Sequence, residues 1–172
     1  MAQSKNRKPL WALWLALTLA LAGVIGAALY SLGKDRPDAL DLNLRAVFFV
    51  SQGALPHLRR ARGKIVNLAD VAGFEAWPAY VPHCVSKAGV VMLTKSLARA
   101  LAPDVAVNAV APGAVLLPEE WDAATREHIR ETTPLRRLGE PADVVAAVRF
   151  LLEGSDYVTG TVLVVDGGRL VR

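Results

Sequence analysis

The chain has almost no cysteine: Cys84 is the only one in 172 residues, so no intrachain disulfide can form, and a reducing compartment suits it best. Zinc-ligand spacings, RNA-binding signatures and internal repeats are absent too. The net charge of +4 is modest, and the arginines are scattered along the chain. These absences predict that the protein has no metal site and no nucleic-acid partner.

Charge is missing altogether from one long stretch near the start. Residues 10–32 contain no charged side chain, are apolar on every face of a helix, and match the roughly 20 residues needed to cross a bilayer. We predict a basic tail at residues 1–9, a single transmembrane helix at residues 10–32 and a linker at residues 33–38. This organisation would anchor the chain in an inner (cytoplasmic) membrane, with its soluble part in the cytoplasm. A cleaved signal peptide and a buried soluble helix are the alternatives.

Residues 39–172 contain strand and helix patterns that alternate. Hydrophobic residues make up 53% of the chain, which is enough to bury a core. The alternation predicts parallel βα units and therefore an α/β fold. The last helix carries an apolar stripe of Val144, Val145, Val148 and Leu152. The patterns predict strands at residues 64–68, 105–110 and 161–165, and helices at residues 42–58, 82–101, 119–131 and 142–152.

Several short motifs occur in a characteristic order. They are Leu-Asn-Leu (42–44), Ile-Val-Asn-Leu-Ala-Asp (65–70), Ser-Lys-Ala (86–88), Val-Asn-Ala-Val-Ala-Pro-Gly (107–113), Pro-Leu-Arg-Arg-Leu-Gly-Glu-Pro (134–141), Thr-Gly (159–160) and Val-Asp-Gly-Gly (165–168). The ordered set, from about Asp38 onwards, resembles the short-chain dehydrogenase/reductase family. The resemblance implies a partial Rossmann-like, doubly wound parallel sheet with about three strands retained. It also implies that residues 39–172 are the C-terminal half of such a domain.

The resemblance implies a catalytic group. The family uses a tyrosine, four residues before a lysine, as proton donor to a substrate that receives hydride from a nicotinamide. Here His83 stands four residues before Lys87, at the tyrosine position. That spacing places the two side chains on one face of a helix. By the same resemblance, Asn43 and Asp70 complete the group.

The resemblance also assigns cofactor contacts. Lys87 would hold the ribose of NADPH or NADH, while the turn containing Pro112, Gly113 and Val115 would contact the nicotinamide. The family also needs a glycine-rich turn whose amides cradle the pyrophosphate. The only partial match to that turn in the sequence is Ile-Gly-Ala-Ala at residues 25–28, inside the apolar stretch. We therefore expect this chain alone to bind the dinucleotide poorly.

Asp70 narrows the resemblance to one branch of the family. Most members have a serine thirteen residues before the catalytic tyrosine position, where this chain has Asp70. An aspartate there is typical of pteridine reductases, which reduce biopterin- or folate-like rings with NADPH, and residues 77–87 also resemble that branch. The alternative is that Asp70 ends a strand and caps a turn.

The proton donor is the poorest match. The imidazole of His83 can act as a general acid. It is shorter than a phenol by roughly 2 Å, however, and a misplacement of about 1 Å can lower a rate about 100-fold. We therefore expect a membrane-anchored, truncated reductase with impaired catalysis, whose ancestral activity is NADPH-dependent reduction of a pteridine or carbonyl substrate. A second hypothesis is a non-catalytic module that forms a homo-oligomer, or pairs with a full-length relative, through helices 42–58 and 82–101. A third is a truncation or fusion product without selected function.

Overall fold

A computed structural model describes residues 39–119 and 121–171. A π-helical turn, Asp41–Arg45, leads into the first helix, and a second one, Phe150–Gly154, extends the last. The regular elements are, in order, α1 (Ala46–Ala61), β1 (Lys64–Leu68), α2 (Val81–Leu101), β2 (Ala106–Pro112), α3 (Ala123–Thr132), α4 (Pro141–Arg149) and β3 (Val162–Val165).

The three strands form one parallel sheet in the order β1-β2-β3. Ile65 pairs with Val107 across the first ladder, and Ala109 pairs with Val162 across the second. The central strand β2 is fully buried between residues 107 and 111. The predicted α/β fold with about three parallel strands is therefore confirmed.

Helices cover both faces of the sheet, as the doubly wound prediction requires. On one face, Leu55 of α1 and Ala98 of α2 pack with Ile65 and Val107. On the other face, Leu151, at the end of α4, packs with Val110 of β2. Side chains of successive strand residues point to opposite faces, so the apolar run of β2 serves both layers.

Two of the four residues predicted to form the apolar stripe of the last helix do not lie on its buried face. Val145 and Leu152 are exposed, whereas Ala147 and Leu151 are buried. Val144 and Val148 do pack against the core. The packed positions 144, 147, 148 and 151 follow the i, i+3, i+4, i+7 spacing of a helix, so the true face is rotated relative to the predicted one.

Two other elements also differ from their predictions. Helix α3 begins at Ala123, four residues later than predicted, because Oδ1 of Asp122 caps it by accepting the amide of Thr125 at 2.7 Å. The buried-type strand predicted at residues 64–68 is only partly buried, and Leu68 is 58% exposed. Among the described residues β1 pairs only with β2, which explains that exposure.

The membrane prediction concerns residues 10–32, which lie outside the described residues, as do the basic tail (1–9) and the linker (33–38). Within residues 39–119 and 121–171, no helix has both the length and the apolar composition needed to cross a bilayer.

Candidate active site

Lys87 lies on α2 and reaches the carboxyl end of β1. Its Nζ donates hydrogen bonds to the carbonyl oxygens of Leu68 at 3.0 Å and Ala69 at 3.4 Å. Burial lowers the pKa of Lys87 below its ordinary value, and the nearby Asp70 carboxylate offsets part of that effect. The ammonium therefore stands at the sheet edge where open parallel sheets bind their ligands.

Asp70 and His83 are brought together by the connection between β1 and α2. Oδ2 of Asp70 is 3.7 Å from Nε2 of His83, and each side chain is about one-quarter exposed, at 27% and 26%. Oδ1 of Asp70 accepts the amide of Ala72 at 2.7 Å and caps the short 3₁₀ turn Val71–Gly73. Asp70 thus caps a turn, as the alternative prediction had it, and also faces the residue at the family's tyrosine position.

Asn43 is held against α2 by a serine. It lies in the π-helical turn before α1, and its Nδ2 donates to Oγ of Ser86 at 3.1 Å. The fully buried Ser86 hydroxyl donates in turn to the carbonyl oxygen of His83 at 2.7 Å. Asn43 and Lys87 line one groove of about 510 Å³ between α1 and β1. The four predicted catalytic residues therefore lie in one region.

The predicted cofactor turn lies at the neighbouring strand end. The amide of Gly113 donates to the carbonyl oxygen of Val165 at 3.0 Å. A Cβ on Gly113 would lie 2.8 Å from Cα and Cβ of Asp166. A side chain at position 113 would therefore collide with Asp166, the residue that follows β3. The amide of Ala69 donates to the carbonyl oxygen of Val110 at 2.8 Å, which aligns the ends of β1 and β2.

Pro112 and Val115 belong to the same turn and share this edge of the sheet with Lys87. Val115 lines a cavity of about 400 Å³ beside the turn. Among the described residues, no hydrogen bond joins Pro112, Gly113 or Val115 to Asp70 or His83. The structure therefore brings the cofactor turn to the same edge of the sheet as the catalytic group.

These residues fit one end of a nicotinamide dinucleotide. Lys87 offers an ammonium at the carboxyl end of β1, and the Pro112 turn follows the neighbouring strand β2 at the same edge of the sheet. The pyrophosphate end finds no such partner in the described part of the chain, where no glycine-rich turn connects a strand directly to a helix. A bound nicotinamide would supply hydride, while Lys87 would hold its ribose and His83 would carry the proton.

Two features of the site were missed by sequence reasoning. Ser86 was recognised only as part of a motif, although its hydroxyl connects Asn43 to α2. Asp70 and His83 were both predicted as catalytic residues, but the contact between their side chains was not foreseen. Ser86 directly precedes the predicted site residue Lys87, and that position was the only signal for it.

Comparison with known proteins identifies the family. A family described as Enoyl-(Acyl carrier protein) reductase matches residues 19–169, a range that begins inside the predicted membrane segment. A 3-oxoacyl-[acyl-carrier-protein] reductase of Thermotoga maritima is 38% identical over 143 residues, covering 80% of this chain and 58% of the relative.

Solved structures give the same result. A gluconate 5-dehydrogenase from Burkholderia cenocepacia, in complex with NADP and tartrate, has a TM-score of 0.70 and 32% identity over 76% of this chain and 54% of that one. A 4-hydroxyisoleucine dehydrogenase complexed with NADH has a TM-score of 0.72 and 29% identity, covering 77% of this chain and 58% of that one. The chain thus spans a little over half the length of these proteins. It belongs to the short-chain dehydrogenase/reductase family.

Proposed function

We propose that this chain carries the catalytic half of an NADPH- or NADH-dependent reductase. The observation that supports this proposal is the position of Lys87, whose half-buried ammonium stands at the carboxyl end of β1 beside Asp70 and His83. Of the solved structures above, the gluconate 5-dehydrogenase is in complex with NADP and the 4-hydroxyisoleucine dehydrogenase is complexed with NADH. Because the chain spans only part of their length, their activities are a guide and not an assignment.

The proposed substrate is a pteridine ring or a carbonyl compound. Asp70 favours the pteridine, since a carboxylate can accept hydrogen bonds from the ring nitrogens of such a substrate. The 3-oxoacyl reductase among the relatives favours a carbonyl instead. Steady-state reduction of biopterin, compared with reduction of an acetoacetyl thioester under the same NADPH concentration, distinguishes the two.

His83 makes proton delivery the weak step of the proposed reaction. Its imidazole lies near the Asp70 carboxylate, and it has less reach than a phenol at the same helix position. We expect little turnover from the unaltered chain. Titration with NADPH tests this directly, and micromolar affinity together with efficient turnover would contradict the proposed impairment.

The substitution His83→Tyr should restore the longer proton donor beside Lys87. If the rest of the site is assembled, NADPH-dependent reduction should rise on the order of 10- to 100-fold. His57→Tyr, the same change at an exposed position on α1, is the matched control and should leave activity unchanged. Unchanged activity of His83→Tyr, in a chain that binds NADPH, would exclude His83 as the limiting group.

A second candidate function is assembly through α1 and α2. Phe49 and Val50 on α1, and Met92 on α2, are exposed apolar side chains, and such patches often mark protein interfaces. We propose that they pair with a second copy or with a full-length relative. Light scattering should give a molecular mass larger than that of the monomer, and Phe49→Glu should lower that mass. A monomer mass at all protein concentrations would exclude self-association.

We also propose that residues 10–32 anchor the chain in a membrane. The support is their length and lack of charge. Carbonate extraction of membranes should leave the full chain in the pellet and release a variant that lacks residues 10–32. Release of the full chain would contradict the anchor.

A further inference from the structure

The outer edge of β1 is open. The amide of Ala69 donates to the carbonyl oxygen of Val110, towards β2. Backbone groups of successive strand residues point in opposite directions, so the amide and the carbonyl of Leu68 point away from β2. Within residues 39–119 and 121–171, no strand pairs with this side of β1. An open edge of this kind is a ready template for another strand.

Lys87 covers one end of the open edge. Its Nζ donates to the outward carbonyl oxygen of Leu68 at 3.0 Å. Lysine at an exposed edge is a common protection against unwanted pairing. The protection is incomplete, because the described residues offer no strand to the outward groups of Val66, two residues earlier. The edge is therefore capped at its carboxyl end and free before it.

A groove lies along β1. It has a volume of about 510 Å³ and is lined by α1 on one side and by β1 on the other. Its lining includes the apolar side chains of Val50, Val66 and Leu68. Val50 is 71% exposed and Leu68 is 58% exposed, so apolar surface remains open to solvent here. An added strand would cover these side chains and pair with the backbone at the same time.

The contacts that the cofactor still needs indicate what the edge binds. The described residues supply Lys87 and the Pro112 turn for the nicotinamide end of a dinucleotide, but no glycine-rich turn for its pyrophosphate. The chain also spans only a little over half the length of the solved structures that contain NADP or NADH. A glycine-rich turn of this type joins a strand of a parallel sheet to a helix. A polypeptide that carries the turn therefore also carries a strand that can extend the sheet beyond β1.

We propose that the outer edge of β1 and the groove beside it bind a parallel strand of a second polypeptide, one that carries the glycine-rich turn. The proposal rests on the proposed reductase function and names the partner that completes its cofactor site. An amide of the partner takes the outward carbonyl of Leu68, and the Lys87 ammonium is released from that oxygen. Lys87 is then free to hold the ribose of the nicotinamide. Strand docking and cofactor binding are coupled through this one side chain.

The test uses the full chain, co-expressed with the part of the Thermotoga maritima reductase that this chain does not match. The two polypeptides should purify together as a one-to-one pair. The pair should bind NADPH about 10-fold more tightly, or better, than the full chain alone. Hydrogen exchange of the Leu68 amide, measured by NMR, should be fast in the chain alone and about 10-fold slower or more in the pair, because that amide gains an acceptor only on docking.

Two variants of Leu68 test the edge itself. Leu68→Pro removes the outward amide and keeps the ladder between β1 and β2, because proline is tolerated where the N–H of an edge strand faces outward. Leu68→Lys keeps every backbone group and places a charge in the groove. Each variant should weaken the pair about 10-fold or more, measured by fluorescence anisotropy as the labelled pair is diluted.

The matched controls are Val164→Pro and Val164→Lys. The carbonyl oxygens of Thr161 and Val165 accept amides of β2, so the backbone groups of Val164 point outward from β3, at the opposite edge of the sheet. Val164 is also partly exposed, at 36%. Both control variants should form the pair as tightly as the unaltered chain.

Three results would overturn the proposal: the fragment does not purify with the chain, only a homodimer of the chain forms, or the Leu68 amide is already protected in the full chain alone. Equal weakening by the Leu68 and Val164 variants would overturn it too. A pair that depends on Leu68 but binds NADPH no better than the full chain alone would refute the proposed cofactor function and the coupling through Lys87. The docking of the strand on β1 would then still stand.

Discussion

Gly73, in the loop that connects β1 to α2, packs its backbone against α2, and adding one methyl group there tests how this loop is held. In Gly73→Ala the new Cβ would lie 3.0 Å from the carbonyl carbon and oxygen of Lys87. These are main-chain atoms inside α2, so they cannot rotate away as a flexible side chain would. The loop itself must move.

The expected cost follows from this geometry. Forcing an extra methyl group into a packed site typically costs about 1–3 kcal/mol. Backbone strain adds nothing, because Gly73 does not have the positive φ at which alanine is disfavoured. The free energy of unfolding of Gly73→Ala should therefore fall by about 1–3 kcal/mol.

Gly53→Ala is the matched control. A Cβ on Gly53 would meet no atom within 4 Å, and the position is an exposed one within α1. Alanine is favoured over glycine inside a helix by about 1 kcal/mol, so this variant should be more stable than the unaltered chain. The two glycine-to-alanine changes are thus expected to have opposite signs.

Urea unfolding, followed by far-ultraviolet circular dichroism, measures both changes. The reasoning is refuted if Gly73→Ala and the unaltered chain share one midpoint at an equal m-value, because the close approach would then be absent in solution.

Other predictions concern buried polar groups. Thr94→Val removes the oxygen that accepts a hydrogen bond from Nδ2 of the buried Asn67 at 2.9 Å. The free energy of unfolding, measured in urea, should fall by about 1–3 kcal/mol. An unchanged free energy would mean that the amide of Asn67 has another partner in the variant. Asn108→Ala removes the side chain that bonds Val158 and Thr161, and should cost more than Thr94→Val because it leaves two backbone groups unpaired. Because burial lowers the pKa of Lys87 in the folded state, the unfolded chain binds that proton more tightly. Stability should therefore rise with pH between the lowered pKa and 10.5, and Lys87→Met should abolish that rise.

The strands and helices of the described residues were largely predictable, because each has its own local signal. The apolar residues of β2 lie next to one another in the chain. The proline that opens α4 likewise acts only on the first turn of that helix. Boundaries were harder. Asp122 moved the start of α3 by capping it, and a cap depends on a single side-chain rotamer.

The site was predicted as a set of positions, but not as an arrangement. The resemblance to the family predicted Asp70, His83 and Lys87 as site positions, because the motifs that carry the resemblance are local in the chain. It did not indicate that Asp70 faces His83, or that Ser86 holds Asn43. Those contacts join residues that are far apart in the chain or separated by a loop.

The close approach of Gly73 to α2 illustrates the same division. No pattern in the sequence indicates that a Cβ at position 73 would meet the main chain of Lys87. Close packing of this kind is decided by the tertiary fold.

The sequence by itself determined that this chain forms parallel βα units and that its ordered motifs are those of the short-chain dehydrogenase/reductase family. Hydrophobic periodicity and motif order are recorded directly in the chain. Only the tertiary structure decided which side of α4 is buried and which partner each polar side chain of the site has. Those outcomes depend on the packing of segments distant in sequence, whose contacts no local pattern specifies.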